Sequence, residues 1–245
     1  MITALDHVTL RASFRGGAVG AYEILFGRKA EGAALRVGNA GIEIEDESST
    51  AHLGAMVFAA DSLAQAERLL QRRAVASERR GALLQLSPAA THEVPIALIE
   101  RPQPPPVSPL LKSDEASSIG ALDHVVIRTP NPERAIAFYA GRLGLDLRLD
   151  RSNPEWGARL LFFRCGDLVV ELAHDLKKGV ADLPDRLWGL SWRAADVARA
   201  HARLAKAGVE VSALRDGRRP GTRVFSVLSH TANVPTIVIG GLAHW

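Results

Sequence analysis

The sequence is short of cysteine, lysine and aromatic residues, and each shortage removes a class of protein. Cys165 stands alone, so no internal disulfide can form, and a reducing compartment such as the cytoplasm is the expectation. It lies in the apolar stretch "LLFFRCGD" with nothing nearby to lower its pKa, so it reads as a small buried hydrophobe and not a nucleophile. No apolar run approaches bilayer length, and no basic stretch followed by an apolar one opens the chain, so no membrane association is expected. The charge excess is slight, 30 basic against 27 acidic residues, and the arginines are scattered, which argues against nucleic acid. Gly-rich phosphate loops, Ser-centred nucleophile elbows, CxxC pairs and paired helical histidines are all missing. Their absence argues against kinases, hydrolases and nucleotide-dependent oxidoreductases.

What is there is ordinary for a folded protein: 245 residues, 47% apolar and 23% charged. Proline at 102, 104, 105, 106 and 109 marks a stiff linker over residues 102–119, separating a domain at 1–101 from one at 120–245. The two halves resemble each other. "ALDHVTLRA" opens the first at residues 4–12 and "ALDHVVIRT" the second at 121–129, which places His7 and His124 in the same setting. Each half then runs helix, strand, strand, and again strand, helix, strands, ending in Val94-Pro95 "IALIE" and Val234-Pro235 "TIVIG". The pattern predicts an α+β fold of four βαβββ units, paired into two tandem half-barrel domains.

Alternate residues of a strand share a face, so His124 points with Leu122, Val126 and Arg128. Glu171 interrupts the apolar run "DLVVELAH", and a buried carboxylate needs a partner, a proton or a cation. Aligning the halves on Gly38 and Gly166 puts Glu43 opposite Glu171. His7 with Glu43 and His124 with Glu171 are therefore equivalent pairs, whose donors suit Zn²⁺, Fe²⁺, Mn²⁺ or Ni²⁺.

"LDHVVI", "VVELA", "RLGL" and "LAKAGVEV" resemble the vicinal oxygen chelate superfamily of glyoxalases, extradiol dioxygenases and bleomycin-resistance proteins. That resemblance covers nearly the whole chain outside the linker. It implies two βαβββ units per half-barrel around a divalent metal, with ligands from the first and last strands of each unit. The pattern carries onto His124 and Glu171, and onto His7 and Glu43. In the even-numbered units the corresponding positions fall on Gly54, Ile96, Gly189 and Thr236, so each domain keeps an incomplete ligand set. His52 and His230 lie near the missing positions. The odd units could also combine, across the domains or in a homodimer, to bring His7, Glu43, His124 and Glu171 into one set.

The second half also holds Trp156, Trp188 and Trp192, against no tryptophan in the first. Trp156 and Trp188 are candidate walls of a small-molecule pocket, with Ser191, Arg128, Arg193 and Arg223 meeting an anionic or carbonyl-bearing ligand. Trp192 reads as core, and "GRRPGTR" at 217–223 as a hairpin loop. Two functions follow from these residues. One is a glyoxalase- or dioxygenase-like catalyst on a small oxygenated molecule with a metal as Lewis acid, and the other is metal-free binding of the bleomycin-resistance kind.

Overall fold

The computed structural model describes residues 2–47, 50–102 and 117–241; most of the proline-rich linker lies outside the described residues. The repeats appear in order. The first comprises β1 (Ile2–Ala12), α1 (Arg15–Phe26), β2 (Ala34–Arg36) and β3 (Gly41–Asp46). The second comprises β4 (His52–Ala60), α2 (Leu63–Arg72), β5 (Ser77–Arg80), β6 (Leu83–Leu86) and β7 (Ile96–Glu100). The third has β8 (Ile119–Arg128), α3 (Pro132–Ile136), β9 (Asp146–Asn153), β10 (Ala158–Cys165) and β11 (Leu168–Asp175). The fourth has β12 (Arg186–Ala194), α4 (Val197–Lys206), β13 (Arg215–Asp216), β14 (Arg223–Val227) and β15 (Thr236–Gly240). The first repeat is one strand shorter among the described residues: between Gly27 and Ala34 the chain manages only an isolated bridge, Glu31 to Ala34.

The result is two mixed sheets with few helices, an α+β fold of two half-barrel domains. Strand order is β2-β3-β1-β4-β7-β6-β5 in one sheet and β13-β14-β15-β12-β8-β11-β10-β9 in the other. The first and last strands of a repeat lie side by side and parallel, as in β1 with β3, β4 with β7 and β12 with β15. Positions on first and last strands therefore meet, although they are far apart in sequence.

Local chemistry sets the helices. Ser62, Asn131 and Asp196 cap α2, α3 and α4 by accepting from Gln65, Arg134 and Arg199 amides. Gly27, at φ +71°, ends α1 and donates to the Glu23 carbonyl. The helix expected from Pro132 to Gly144 begins as α3 but continues as a π-helical turn over Ala137–Arg142. Both Phe138 and Tyr139 are buried there, because the wider turn points two consecutive residues at the core. The stripe expected on α4 is buried at Val197, Ala200 and Leu204, whereas Ala207 is exposed at its end.

The alternating run "VEVSAL" at 209–214 forms no strand. Val211 makes only an isolated bridge to Val227. The Ser212 hydroxyl accepts from the Ser226 amide and so takes a place that a backbone carbonyl would hold in a ladder. The Gly217–Thr222 turn joins β13 to β14 as a hairpin, closed by the Gly217 amide donating to Thr222 and the Thr222 hydroxyl donating to Arg219.

Two compact units divide the chain, and each draws one repeat from each half. One gathers residues 1–6, 55–104 and 125–188, the second and third repeats. Its core holds Phe58, Phe138, Tyr139 and Phe163, and Arg101 donates to the buried Asp6 at 2.9 Å. The other unit gathers residues 7–54, 105–124 and 189–245, the first and fourth repeats. Phe26 packs edge-on against Trp192, with ring centroids 4.6 Å apart, a pairing worth about 1 kcal/mol beyond its burial. Asn39 locks onto the backbone of Leu122 with two hydrogen bonds of 2.8 Å, using its amide as a third strand would use a peptide.

Candidate functional site

In the first-half sheet, His7, Thr9 and Arg11 of β1 align with Gly41, Glu43 and Glu45 of β3. The expected His7–Glu43 pair forms: Nε2 lies 3.3 Å from Oε2. Arg11 is paired as well, at 3.2 Å from Glu45 and 3.7 Å from Glu47. Gly54 sits beneath these side chains. A Cβ there would stand 2.4 Å from Thr9 Oγ1 and 3.2 Å from Arg11, so the position that resembles a metal-ligand position is already filled.

His124 stands beside a second carboxylate, that of Asp123. Its Nδ1 lies 2.7 Å from the buried Asp123 carboxylate, which orients the ring. Arg193, expected in a ligand pocket, donates to the Leu122 carbonyl at 3.0 Å, with its Nε 3.7 Å from Asp123. Ser191 is fully buried, and its hydroxyl has no hydrogen-bond partner among the described residues. Gly189 allows no side chain, since a Cβ would meet the Pro235 carbonyl oxygen at 2.7 Å. Thr236 is buried and donates to the Val234 carbonyl.

One sheet face of mixed chemistry belongs to the third repeat. The Thr129 amide donates to the Ala173 carbonyl, which sets Arg128 beside Ala173 and Val126 beside Glu171. Across the next strands Ala173 aligns with Leu160 and Glu171 with Phe162, then Leu160 with Arg151 and Phe162 with Leu149. The opposite face of these strands, Val125, Ile127, Val170, Leu172, Leu161 and Phe163, is buried. Glu171, half-buried, is therefore the one carboxylate in a floor of Val126, Phe162, Ala173 and Leu160.

Arginines flank that floor. The Arg128 guanidinium lies 4.1 Å from the ring centroid of Trp188, and that of Arg151 lies 5.2 Å from the ring centroid of Trp156. Both tryptophans are well over a third exposed. Arg223 is exposed at the start of β14, away from any described hydrogen bond. Trp192 is core, as its pattern indicated.

Among the described residues no group of three or more His, Cys, Asp and Glu side chains forms a complete metal site. Gly54 and Gly189 cannot be replaced by ligands without displacing packed atoms, and the Thr236 hydroxyl is already used. The two spare histidines do not substitute: His52 is exposed and bonded to the Thr50 carbonyl, and His230 is bonded to Ser229 in a loop at φ +59°. Cys165 is inert, its thiol pushed up to about 12 by burial.

Arg151 and Asp123 escaped the sequence reading. An Asp precedes the His in both repeats and is buried in both, at Asp6 and Asp123, which was a legible signal. Arg151 carried none, because only strand pairing brings β9 to this face.

Residues 123–225 match the family model of the Glyoxalase/Bleomycin resistance protein/Dioxygenase superfamily. The chain is 29% identical over 100 residues to the ethylmalonyl-CoA/methylmalonyl-CoA epimerase of Cereibacter sphaeroides, a match covering 38% of this chain and 75% of that enzyme. Its fold matches the Mn(II)-bound glyoxalase from Novosphingobium aromaticivorans at a TM-score of 0.73 with 12% identity, covering 99% of this chain and 83% of that one. It also matches 2,2',3-trihydroxybiphenyl 1,2-dioxygenase from Sphingomonas wittichii at 0.72 with 14% identity, covering 100% and 92%. The second half thus resembles that superfamily in sequence, and the whole length resembles these two structures in fold.

Proposed function

We propose that the chain is an enzyme acting on a small oxygenated molecule at the third-repeat sheet face, where Glu171 moves a proton on carbon beside a carbonyl. The observation that carries this reading is the half-buried Glu171 carboxylate in a floor of apolar side chains. A carboxylate in such a setting can exchange a proton with a ligand that displaces water, and general-base catalysis of this kind contributes about 10²- to 10⁴-fold. The epimerase likeness supports carbonyl compounds that also bear a carboxylate as first substrates to try. The incomplete metal donor set supports chemistry carried by side chains, so no step is assigned to a metal. His124, oriented by Asp123, is a second acid–base group of the same chain.

A second reading, binding without turnover, draws support from the two stacked arginines. One experiment separates the two. The protein is incubated in D₂O with 2-oxo acids, 2-hydroxy ketones and carboxylate-bearing acyl thioesters, and deuterium uptake next to the carbonyl is followed by NMR. Uptake on one class, lost by about 100-fold or more in Glu171→Gln, is the expected result. The His124→Ala variant measures whether that imidazole takes part, and a chelator arm measures metal dependence. No uptake on any class, or uptake unchanged in Glu171→Gln, rejects the enzymatic reading, and ligand binding without uptake favours the second.

A further inference from the structure

We infer that the ligand of this face is an elongated dianion, held at its two ends by Arg128 and Arg151. The inference rests on the reading of this face as the ligand site, but not on the reaction assigned to it. Arg128, Ala173, Leu160 and Arg151 form one cross-strand row on one face of β8, β11, β10 and β9. Three strand spacings separate the two arginine backbones, about 14 Å at ~4.8 Å per spacing. Between them the row is apolar.

Each guanidinium lies over an indole ring, a contact that uses none of its N–H donors. Neither arginine has a hydrogen bond or ion pair among the described residues, so the five N–H donors of each are available to a carboxylate or phosphate. The stacking also limits side-chain freedom, which lowers the entropic cost of capturing an anion. Glu171 lies in the adjacent row, two residues before Ala173 on the same face of β11. A ligand with charged ends and an uncharged centre satisfies every one of these positions.

The test uses a series of linear dicarboxylates, from succinate through adipate and suberate to sebacate, with monocarboxylates of matching length. Binding is measured by titration calorimetry at low and high salt. The dicarboxylates bind more tightly than their monocarboxylate counterparts, affinity peaks at one chain length, and added salt weakens it. Arg128→Gln and Arg151→Gln each lower the best dicarboxylate by about tenfold and erase its advantage over the monocarboxylate. Both arginines are exposed, so the variants should fold, and unchanged thermal unfolding verifies this. Equal binding of mono- and dicarboxylates, no binding of either, or no effect of both substitutions overturns the inference. Its failure alongside deuterium uptake leaves the proposed function standing, and dicarboxylate binding without uptake does the reverse.

Discussion

Arg11 and Arg128 occupy equivalent positions in the first and third repeats, and they meet different neighbours. Beside Arg11 on the parallel strand stands Glu45, which pairs with it at 3.2 Å, and Glu47 approaches as well. Beside Arg128 stands Ala173, so the guanidinium turns to the ring of Trp188 instead. The same logic runs through the two faces. In the first half, His7 is joined to Glu43, Thr9 lies over Gly54, and charges cancel within the sheet. In the third repeat the floor is apolar, one carboxylate is set in it, and the cations stand at its ends. One small residue in place of one acid converts an internally satisfied face into one that has donors left for a ligand. Charges committed to a neighbour carry little affinity for anything else, because binding must first break the existing pair.

The largest expected effect concerns Gly54 and Gly189, two positions closed to a side chain. Gly189→Ala forces a Cβ against a backbone oxygen, which cannot rotate away, and should cost about 1–3 kcal/mol in chemical denaturation. Gly54→Ala meets a side-chain hydroxyl, which can turn, and should cost less. Equal losses would break the distinction between a position closed by backbone and one closed by side chains.

Next is the exchange of the deciding acid. Ala173→Glu should recreate the Arg11–Glu45 arrangement at Arg128 and weaken dicarboxylate binding about tenfold, as Arg128→Gln does. Glu45→Ala should leave dicarboxylate binding unchanged, because Glu47 still lies 3.7 Å from Arg11. Calorimetry of both variants decides, and retained binding in Ala173→Glu would contradict the comparison.

The smallest effect separates two equivalent tyrosines. The Tyr22 hydroxyl donates to the Thr231 carbonyl at 3.3 Å, whereas the buried Tyr139 hydroxyl has no partner among the described residues. Burial raises the pKa of both hydroxyls. Tyr22→Phe should therefore cost about 1 kcal/mol, and Tyr139→Phe should be neutral or stabilising by up to about 1 kcal/mol. Thermal unfolding of the pair provides the measurement, and a clear loss in Tyr139→Phe would point to an unseen partner for its hydroxyl.

Much of the fold was legible because its signals are local. The repeated "LDHV" strands, the capping residues Ser62, Asn131 and Asp196, and the closing Val-Pro pairs each report on the few residues around them. The His7–Glu43 pair could also be found by laying one repeat on the other. Local patterns failed where a side chain replaced backbone pairing, as Ser212 does in "VEVSAL", and where a helix widened to bury both Phe138 and Tyr139.

By itself, then, the sequence determined the number of repeats, the α+β class, the His7–Glu43 pair and the family resemblance, since these depend on periodicity and on residue identity. Only the tertiary structure decided which charges remain available. Whether Arg128 has a carboxylate beside it depends on a residue 45 positions later in the chain (173 − 128 = 45), placed there by the parallel pairing of β8 with β11. Whether Gly189 is a lost ligand or a closed position depends in the same way on the Pro235 carbonyl, 2.7 Å from where a side chain would begin. Strand register sets both distances, and register is a property of the folded sheet that no single segment encodes.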